Sequence, residues 1–251
     1  MMQLKQVLLV TGSSRGIGAA TALLASRRGY AVCINYHSNA AAAERLRAQI
    51  VAEGGEAIAV QADVGVEADV LRLFSAIDEQ LGPLTALVNN VGVLEQQGKL
   101  ADMSAERLQR VINTNILSYF LCSREAVKRM STARGGQGGG IVNVSSGASR
   151  HGGGNVYVDY AASKGAVDVL TLGLSREVGP EGIRVNCVRP GIIYTDIHAS
   201  GGDADRVNKL ASTVPLGRGG QPEEIAETIL WLLGEQSSYV SGAIIDAGGA
   251  R

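Results

Sequence analysis

Apolar residues gather in short continuous runs, separated by longer stretches in which they recur with helical spacing. The runs are Val7–Val10, Ala31–Ile34, Ala57–Val60, Ala86–Val88, Ile141–Val144, Arg184–Val188 and Ala243–Asp246. They do not alternate apolar with polar, so each predicts a strand buried on both faces, as in a parallel sheet. The intervening stretches predict helices near 16–28, 40–53, 67–81, 103–130, 160–178 and 222–233. The last begins with Pro222, Glu223 and Glu224, an early proline and first-turn carboxylates that favour a helix start. Strand and helix alternate from end to end, which predicts an α/β chain, a doubly wound seven-stranded parallel sheet with helices on both faces. No linker divides residues 1–251, so a single domain is expected. The glycine-rich stretch 135–140 reads as a flexible surface loop between a long helix and a strand, and a second cluster lies at 152–154.

Composition narrows the function. The 33 glycines among 251 residues exceed the usual share of about 7%. No three-residue repeat is present, and a 45% hydrophobic chain is not disordered. Tight turns and close backbone approach to a ligand account for the excess. A net charge of −1 provides no field for nucleic acid or anionic lipid. No apolar run approaches the ~18 residues of a membrane span, and Val7–Val10 is too short for a signal-peptide core. Cys33, Cys122 and Cys187 are far apart with no CxxC, so neither a disulfide framework nor a zinc site is signalled. A cytoplasmic protein without a membrane or nucleic-acid partner is expected. His37, His151 and His198 form no ligand-spaced cluster, so no metal is expected.

After the first strand comes Thr11-Gly12-Ser13-Ser14-Arg15-Gly16-Ile17-Gly18, then an alanine-rich helix. Glycines at a strand-to-helix turn let the backbone approach a pyrophosphate, and the helix start offers free N–H groups and partial positive charge. The spacing is GxxxGxG rather than GxGxxG, so its position in the first strand-turn-helix carries the reading. Gly12, Ser14, Arg15, Gly16, Ile17 and Gly18 are the candidate phosphate-binding residues. The second strand ends at Asn35, followed by Tyr36, His37 and Ser38, where an NAD site usually carries an acid for the ribose. No Asp or Glu occurs from Ile34 to Ala43, which leaves room for a 2′-phosphate that Arg15 can pair. NADP(H) is therefore preferred, with NAD(H) possible.

Tyr160-Ala-Ala-Ser-Lys164 opens a helix, and residues i and i+4 share a face. A cation beside a phenol lowers its pKa and makes it a usable general acid for a carbonyl oxygen. Tyr157 is a rival, but four residues on it finds Ala161. Ser146 follows the strand Ile141–Val144, and Asn115 sits inside the long predicted helix, where asparagine is a middling helix former.

Together these motifs resemble the short-chain dehydrogenase/reductase superfamily in its compact single-domain branch. The matches are TGSSRGIG at 11–18, Asp63-Val64, Asn89-Asn90-Val91-Gly92, Asn115, Ser145-Ser146, YAASK at 160–164, Pro190-Gly191 with Thr195, and Asp246-Ala247-Gly248-Gly249. The resemblance implies a Rossmann sheet with ligand at the strands' carboxyl ends. It implies Tyr160 as acid/base, Lys164 lowering its pKa and holding the nicotinamide ribose, Ser146 orienting the carbonyl, and Asn115 holding a proton-relaying water. Asp63 and Val64 would meet adenine; Asn89, Val91 and Gly92 would line the ribose and phosphate path. Pro190 and Gly191 would line the crevice, and Ile193 and Thr195 would meet the carboxamide. Val91 departs from the usual NNAG, and the 146–160 loop is slightly long.

The implied reaction is hydride transfer between nicotinamide C4 and a small carbonyl or alcohol substrate. Sugar dehydrogenases and 3-oxoacyl-carrier reductases look most similar. The segment Ile192–Pro215 would act as a small lid, with Tyr194 and His198 setting specificity. Lys128, Arg129 and Arg176 read as solvated helix charges or as a docking patch for an acidic carrier. A homotetramer or homodimer is the family expectation. The alternative to an enzyme is a non-catalytic NADP-binding sensor or scaffold, which would not need the tyrosine, lysine and serine. An epimerase of the extended branch lacks support because no substrate domain follows the sheet.

Overall fold

All seven apolar runs join one parallel sheet in the order β3-β2-β1-β4-β5-β6-β7. The computed structural model describes residues 5–251, so the first four residues of the expected domain lie outside it. The elements alternate as β1 (Gln6–Val10), α1 (Gly16–Arg27), β2 (Tyr30–Tyr36), α2 (Ala40–Ala52), β3 (Ala57–Gln61), α3 (Glu67–Gln80) and β4 (Ala86–Asn89). The second half runs α4 (Ala105–Ile112), α5 (Ser118–Met130), β5 (Gly139–Val144), α6 (Ala148–His151), α7 (Val158–Val178) and β6 (Ile183–Pro190). It ends with α8 (Ile197–Ser200), α9 (Arg206–Ala211), α10 (Pro222–Leu233) and β7 (Ile244–Ala247).

The continuous strands are explained by two cores. On β1, Val7 and Leu9 face a layer with Val70, Leu73, Phe74 and Ile77 of α3 and Cys122, Ala126 and Met130 of α5. Leu8 and Val10 face the opposite layer, with Ala22 and Ala25 of α1, Ile50 of α2 and Ile225 and Ile229 of α10. Successive side chains point to opposite faces, so a strand covered on both sides must be apolar throughout. Each such side chain contributes about 1.5–3 kcal/mol on burial. Cys33 and Cys122 are buried in the first of these layers and Cys187 in a small cluster with Tyr119 and Val167, all as free thiols.

The chain order reverses between β1 and β4, where Val10 of β1 pairs with Ile34 of β2 on one side and Val88 of β4 on the other. Such a reversal opens a crevice at the carboxyl ends of the strands, where ligands bind in this architecture. The loops after β1, β4, β5 and β6 therefore converge there.

Two expectations need correction. The predicted helix 103–130 is two α-helices joined by a π-helical turn over Asn113–Leu117. Periodicity could not show this, since one wide turn barely disturbs an apolar stripe, while π turns often mark functional sites. The 135–140 stretch is a packed reversal rather than a loose loop. Gly139 has φ +151°, and a Cβ there would lie 2.1 Å from the Thr85 carbonyl oxygen. Close passage of the chain against β4 requires glycine at that point.

Candidate active site

The loop after β1 is built by buried polar side chains. The Thr11 hydroxyl accepts from the Asn90 and Val91 backbone amides at 3.0 and 3.2 Å. Asn35 is 1% exposed, accepts from the Gly12 amide at 3.1 Å and donates to the Ala62 carbonyl at 3.1 Å. Its side chain thus shapes the phosphate loop from beneath and is not turned to a ribose. Gly12 adopts φ +61°, and a Cβ there would sit 3.1 Å from Val91 Cα. At Gly18 a Cβ would meet the Asn90 amide nitrogen at 2.6 Å and Ser13 Cα at 2.8 Å. Gly18 therefore admits the Asn90 side chain, which donates to the Thr11 and Gly12 carbonyls. Sequence reading assigned these glycines to phosphate contact. Only Gly16 faces across the crevice, where its Cβ would meet Thr195 Cγ2 at 3.3 Å.

The residues nevertheless fit a dinucleotide. The twelve-residue α1 has no side-chain cap and no acid in its first turn, whereas α2 and α4 are capped by Asn39 and Ser104. Its first amides are free for an anion. Arg15 is exposed and lies 3.9 Å from Asp196, too long and too solvated to neutralise either group. At the end of β2, Tyr36 is half-buried, and His37 and Ser38 are exposed. The His37 imidazole is 3.9 Å from the Asp63 carboxylate, which also accepts from the Gly65 amide at 2.9 Å. Val64 is buried beside it. Ser14 and Ile17 keep accessible surface on the loop.

On the floor of the crevice, Asn115 is fully buried in the π turn. Its carbonyl oxygen accepts from the Val93 amide at 2.8 Å, and its amide donates to the Val93 carbonyl and the Ser163 hydroxyl. Both amide hydrogens are spent, so the side chain pins the 91–93 loop to α7 and has no donor left for a relay water. The Asn89 amide is also spent, on Ser123 and Asn143, and is buried away from the crevice. Gly92 keeps the floor open: a Cβ there would stand 3.5 Å from the Lys164 ammonium.

The structure brings Ser146, Tyr160 and Lys164 together. The Ser146 hydroxyl accepts from the Ala148 amide at 3.1 Å and neighbours the Tyr160 phenol. Lys164, 2% exposed, donates to the Val144 carbonyl at 2.9 Å and to Tyr119 Oη at 3.0 Å. Its ammonium lies 5.8 Å from the Tyr160 ring centroid. Burial pushes Tyr160 up to about 12, against which the Ser146 hydrogen bond pulls down. Burial likewise pushes Lys164 down to about 8. The i,i+4 lysine does not offset this rise in the phenol. Desolvation dominates both groups, and the ammonium is directed at Val144 and Tyr119.

Tyr119 escaped the sequence reading, although it stands one turn after Asn115. It is fully buried and also donates to the Val144 carbonyl at 2.8 Å. Ser145 serves structure: its hydroxyl donates to the Lys164 carbonyl at 3.0 Å. Tyr157 lies closer to the site than expected, its ring edge-to-face on Tyr160 with centroids 5.9 Å apart. Pro190 at the end of β6 and Ile193 beyond it are buried, and Gly191 packs so tightly that a Cβ would meet Gly248 Cα at 2.5 Å. Lys128 and Arg129 are ion-paired with Glu125 and Asp78, which leaves little charge for an acidic carrier.

A switch-point crevice, an uncapped phosphate-loop helix and a serine–tyrosine–lysine cluster define a class of nucleotide-dependent oxidoreductases. Comparison with known proteins agrees. The family described as enoyl-(acyl carrier protein) reductase matches residues 12–249. The chain is 55% identical over 245 residues to the uncharacterized oxidoreductase YgfF of Escherichia coli (strain K12), covering 98% of this chain and 99% of that one. It is 36% identical to the 3-oxoacyl-(acyl-carrier-protein) reductase of Synechocystis, over 97% and 96% of the two chains. Among solved structures, a blue fluorescent protein from a metagenomic library in complex with NADPH superposes with TM-score 0.89 at 33% identity, covering 98% and 97%. The chain belongs to the short-chain dehydrogenase/reductase family, and it is an oxidoreductase. Among the described residues, no helix is long and apolar enough to cross a membrane.

Proposed function

We propose that this enzyme interconverts a small carbonyl compound and its alcohol with NADP(H), using Tyr160 as general acid/base. The observation that carries the reading is the gathering of Ser146, Tyr160 and the buried Lys164 ammonium at the carboxyl edge of the sheet, with the ammonium 5.8 Å from the Tyr160 ring centroid. When bound, the nicotinamide dinucleotide exchanges a hydride with the carbonyl carbon. The α1 amides at Ile17 and Gly18 would hold its pyrophosphate, and Asp63 with Val64 would border adenine. The Val91–Gly92 backbone would pass beneath it, with Ile193 and Thr195 at its far end. NADP(H) is supported by Arg15 at the loop and by the missing acid after β2, and a relative of full length is described in complex with NADPH.

Tyr160 gives its proton to the carbonyl oxygen in reduction and removes it in oxidation. Ser146 orients that oxygen and steadies the phenol. Lys164 favours the developing phenolate. Asn115 acts as a positioning residue through Val93 and Ser163. The segment 192–215, with α8 and α9, covers the crevice as a lid. We place the enzyme in the cytoplasm as a homotetramer; exposed Phe120 on α5 and Val169 and Leu172 on α7 supply apolar faces for association.

The test is an NADPH-oxidation screen over sugars, acyl thioesters and small ketones. Tyr160→Phe should lower kcat on any active substrate about a thousandfold, within the range for a lost general acid, and still bind NADPH. Full turnover by Tyr160→Phe, or a preference for NADH, would sink the reading.

A further inference from the structure

The segment Ile192–Pro215 touches both walls of the crevice. On one side Gly201 lies against Leu94, where a Cβ would meet the leucine side chain at 2.8 Å. On the other, Arg206 at the start of α9 donates to Tyr157 Oη at 2.8 Å. Its guanidinium also stands 5.3 Å from the Tyr157 ring centroid. Tyr157 in turn packs edge-to-face on Tyr160. A guanidinium is therefore held one aromatic ring away from the proton donor.

Its charge has no ion-pair partner among the described residues. Arg206 is half-buried. The adjacent acids are directed elsewhere: Asp203 pairs with Lys209 at 2.6 Å, and Asp205 accepts from Asn208 at 2.8 Å. A guanidinium carries five donors, and the tyrosine oxygen uses one. A half-buried cation whose neighbouring acid Asp203 is ion-paired with Lys209 is poised for an anion.

The neighbourhood also limits that anion. His198 Nε2 lies 3.0 Å from the Ile193 carbonyl and must donate to it, which leaves Nδ1 as a buried acceptor without a partner. Burial and the nearby Arg206 charge hold this imidazole below its ordinary pKa, so it adds no second cation. One positive charge suits a monoanionic carboxylate; a phosphate dianion would remain under-neutralised.

We propose that Arg206 is the specificity-determining residue of this site and selects carbonyl substrates that carry a carboxylate about one ring's width from the reacting carbon. This rests on the carbonyl-reductase reading above.

Two aldehydes of one shape test it: 4-formylbenzoate and its methyl ester, each reduced with NADPH. Binding of 4-formylbenzoate to the NADP+-loaded protein is read in parallel by calorimetry. Wild type should favour the carboxylate at least tenfold in kcat/KM. Arg206→Gln should lower the carboxylate-to-ester ratio about 30-fold, the scale of one lost charge-assisted hydrogen bond. Arg206→Lys should keep most of the ratio, and Arg206→Glu should invert it. If Arg206 merely straps the segment to Tyr157, both aldehydes fall together, and the unchanged ratio overturns the proposal. Absence of binding, or equal binding by wild type and Arg206→Gln, also overturns it. Arg206-dependent binding without turnover of either aldehyde would instead defeat the reductase reading and leave the carboxylate site standing.

Discussion

The floor and the roof of the crevice are built differently. The floor consists of the 91–93 loop, the π turn and the first turns of α7, joined by the buried hydrogen bonds of Asn115, Tyr119, Ser163 and Lys164. The roof consists of α8 and α9, of four and six residues, held by surface contacts such as Tyr194 to Asn208 and Lys209 to Asp203. A buried polar network permits one geometry, because each group left unpaired is costly. Short exposed helices carry little cooperative stability and can change sequence without disturbing a core. The floor thus suits invariant chemistry, and the roof suits recognition of a particular substrate.

Mutations can break this contrast. The largest effect is expected at Asn115→Ala, which strands the Val93 backbone and Ser163 in a buried site. Stability in urea should fall by about 2–4 kcal/mol, with weaker NADPH binding; an unchanged midpoint would show that the floor is not cooperative. The next concerns pH. Burial has lowered Lys164 to about 8, so its charged form exists below that pH and is lost above it. Carbonyl reduction, followed as kcat/KM of the free enzyme, should decline as pH rises through about 8, because a neutral amine no longer favours the developing phenolate. Lys164→Met should be slow at all pH values and lack this inflection. The smallest effect is expected on the roof, where Tyr194 is exposed and its hydroxyl donates to Asn208 at 3.0 Å. Tyr194→Phe should cost less than about 1 kcal/mol of stability. A loss as large as that of Asn115→Ala would erase the distinction.

Much of the floor was legible in the chain. Tyr160 and Lys164 announce themselves by helical spacing, and Asn115 by its awkward place in a helix. Tyr119 did not stand out, because a tyrosine on an apolar stripe reads as core. Asn35 was read as a ribose neighbour, because its position at the end of β2 is visible but its direction beneath the loop is not. Gly18 stands out as a loop glycine, but spacing does not reveal that its missing side chain makes room for the Asn90 amide. The roof was legible only as a polar, glycine-containing stretch; neither α8 nor α9 has enough turns to establish a period.

The sequence by itself determined a doubly wound parallel sheet of seven strands, its two buried faces, and the loop and helix that carry the chemistry. These follow from local periodicity and from residues a few positions apart. Tertiary structure alone decided that Lys164 is aimed at Tyr119, 45 residues away, and that Arg206 reaches Tyr157, 49 residues away. It also decided that the phenol and the ammonium are both desolvated by burial. Hydrogen-bond direction and burial depend on which loops meet at the switch point, and no spacing within one element encodes that meeting.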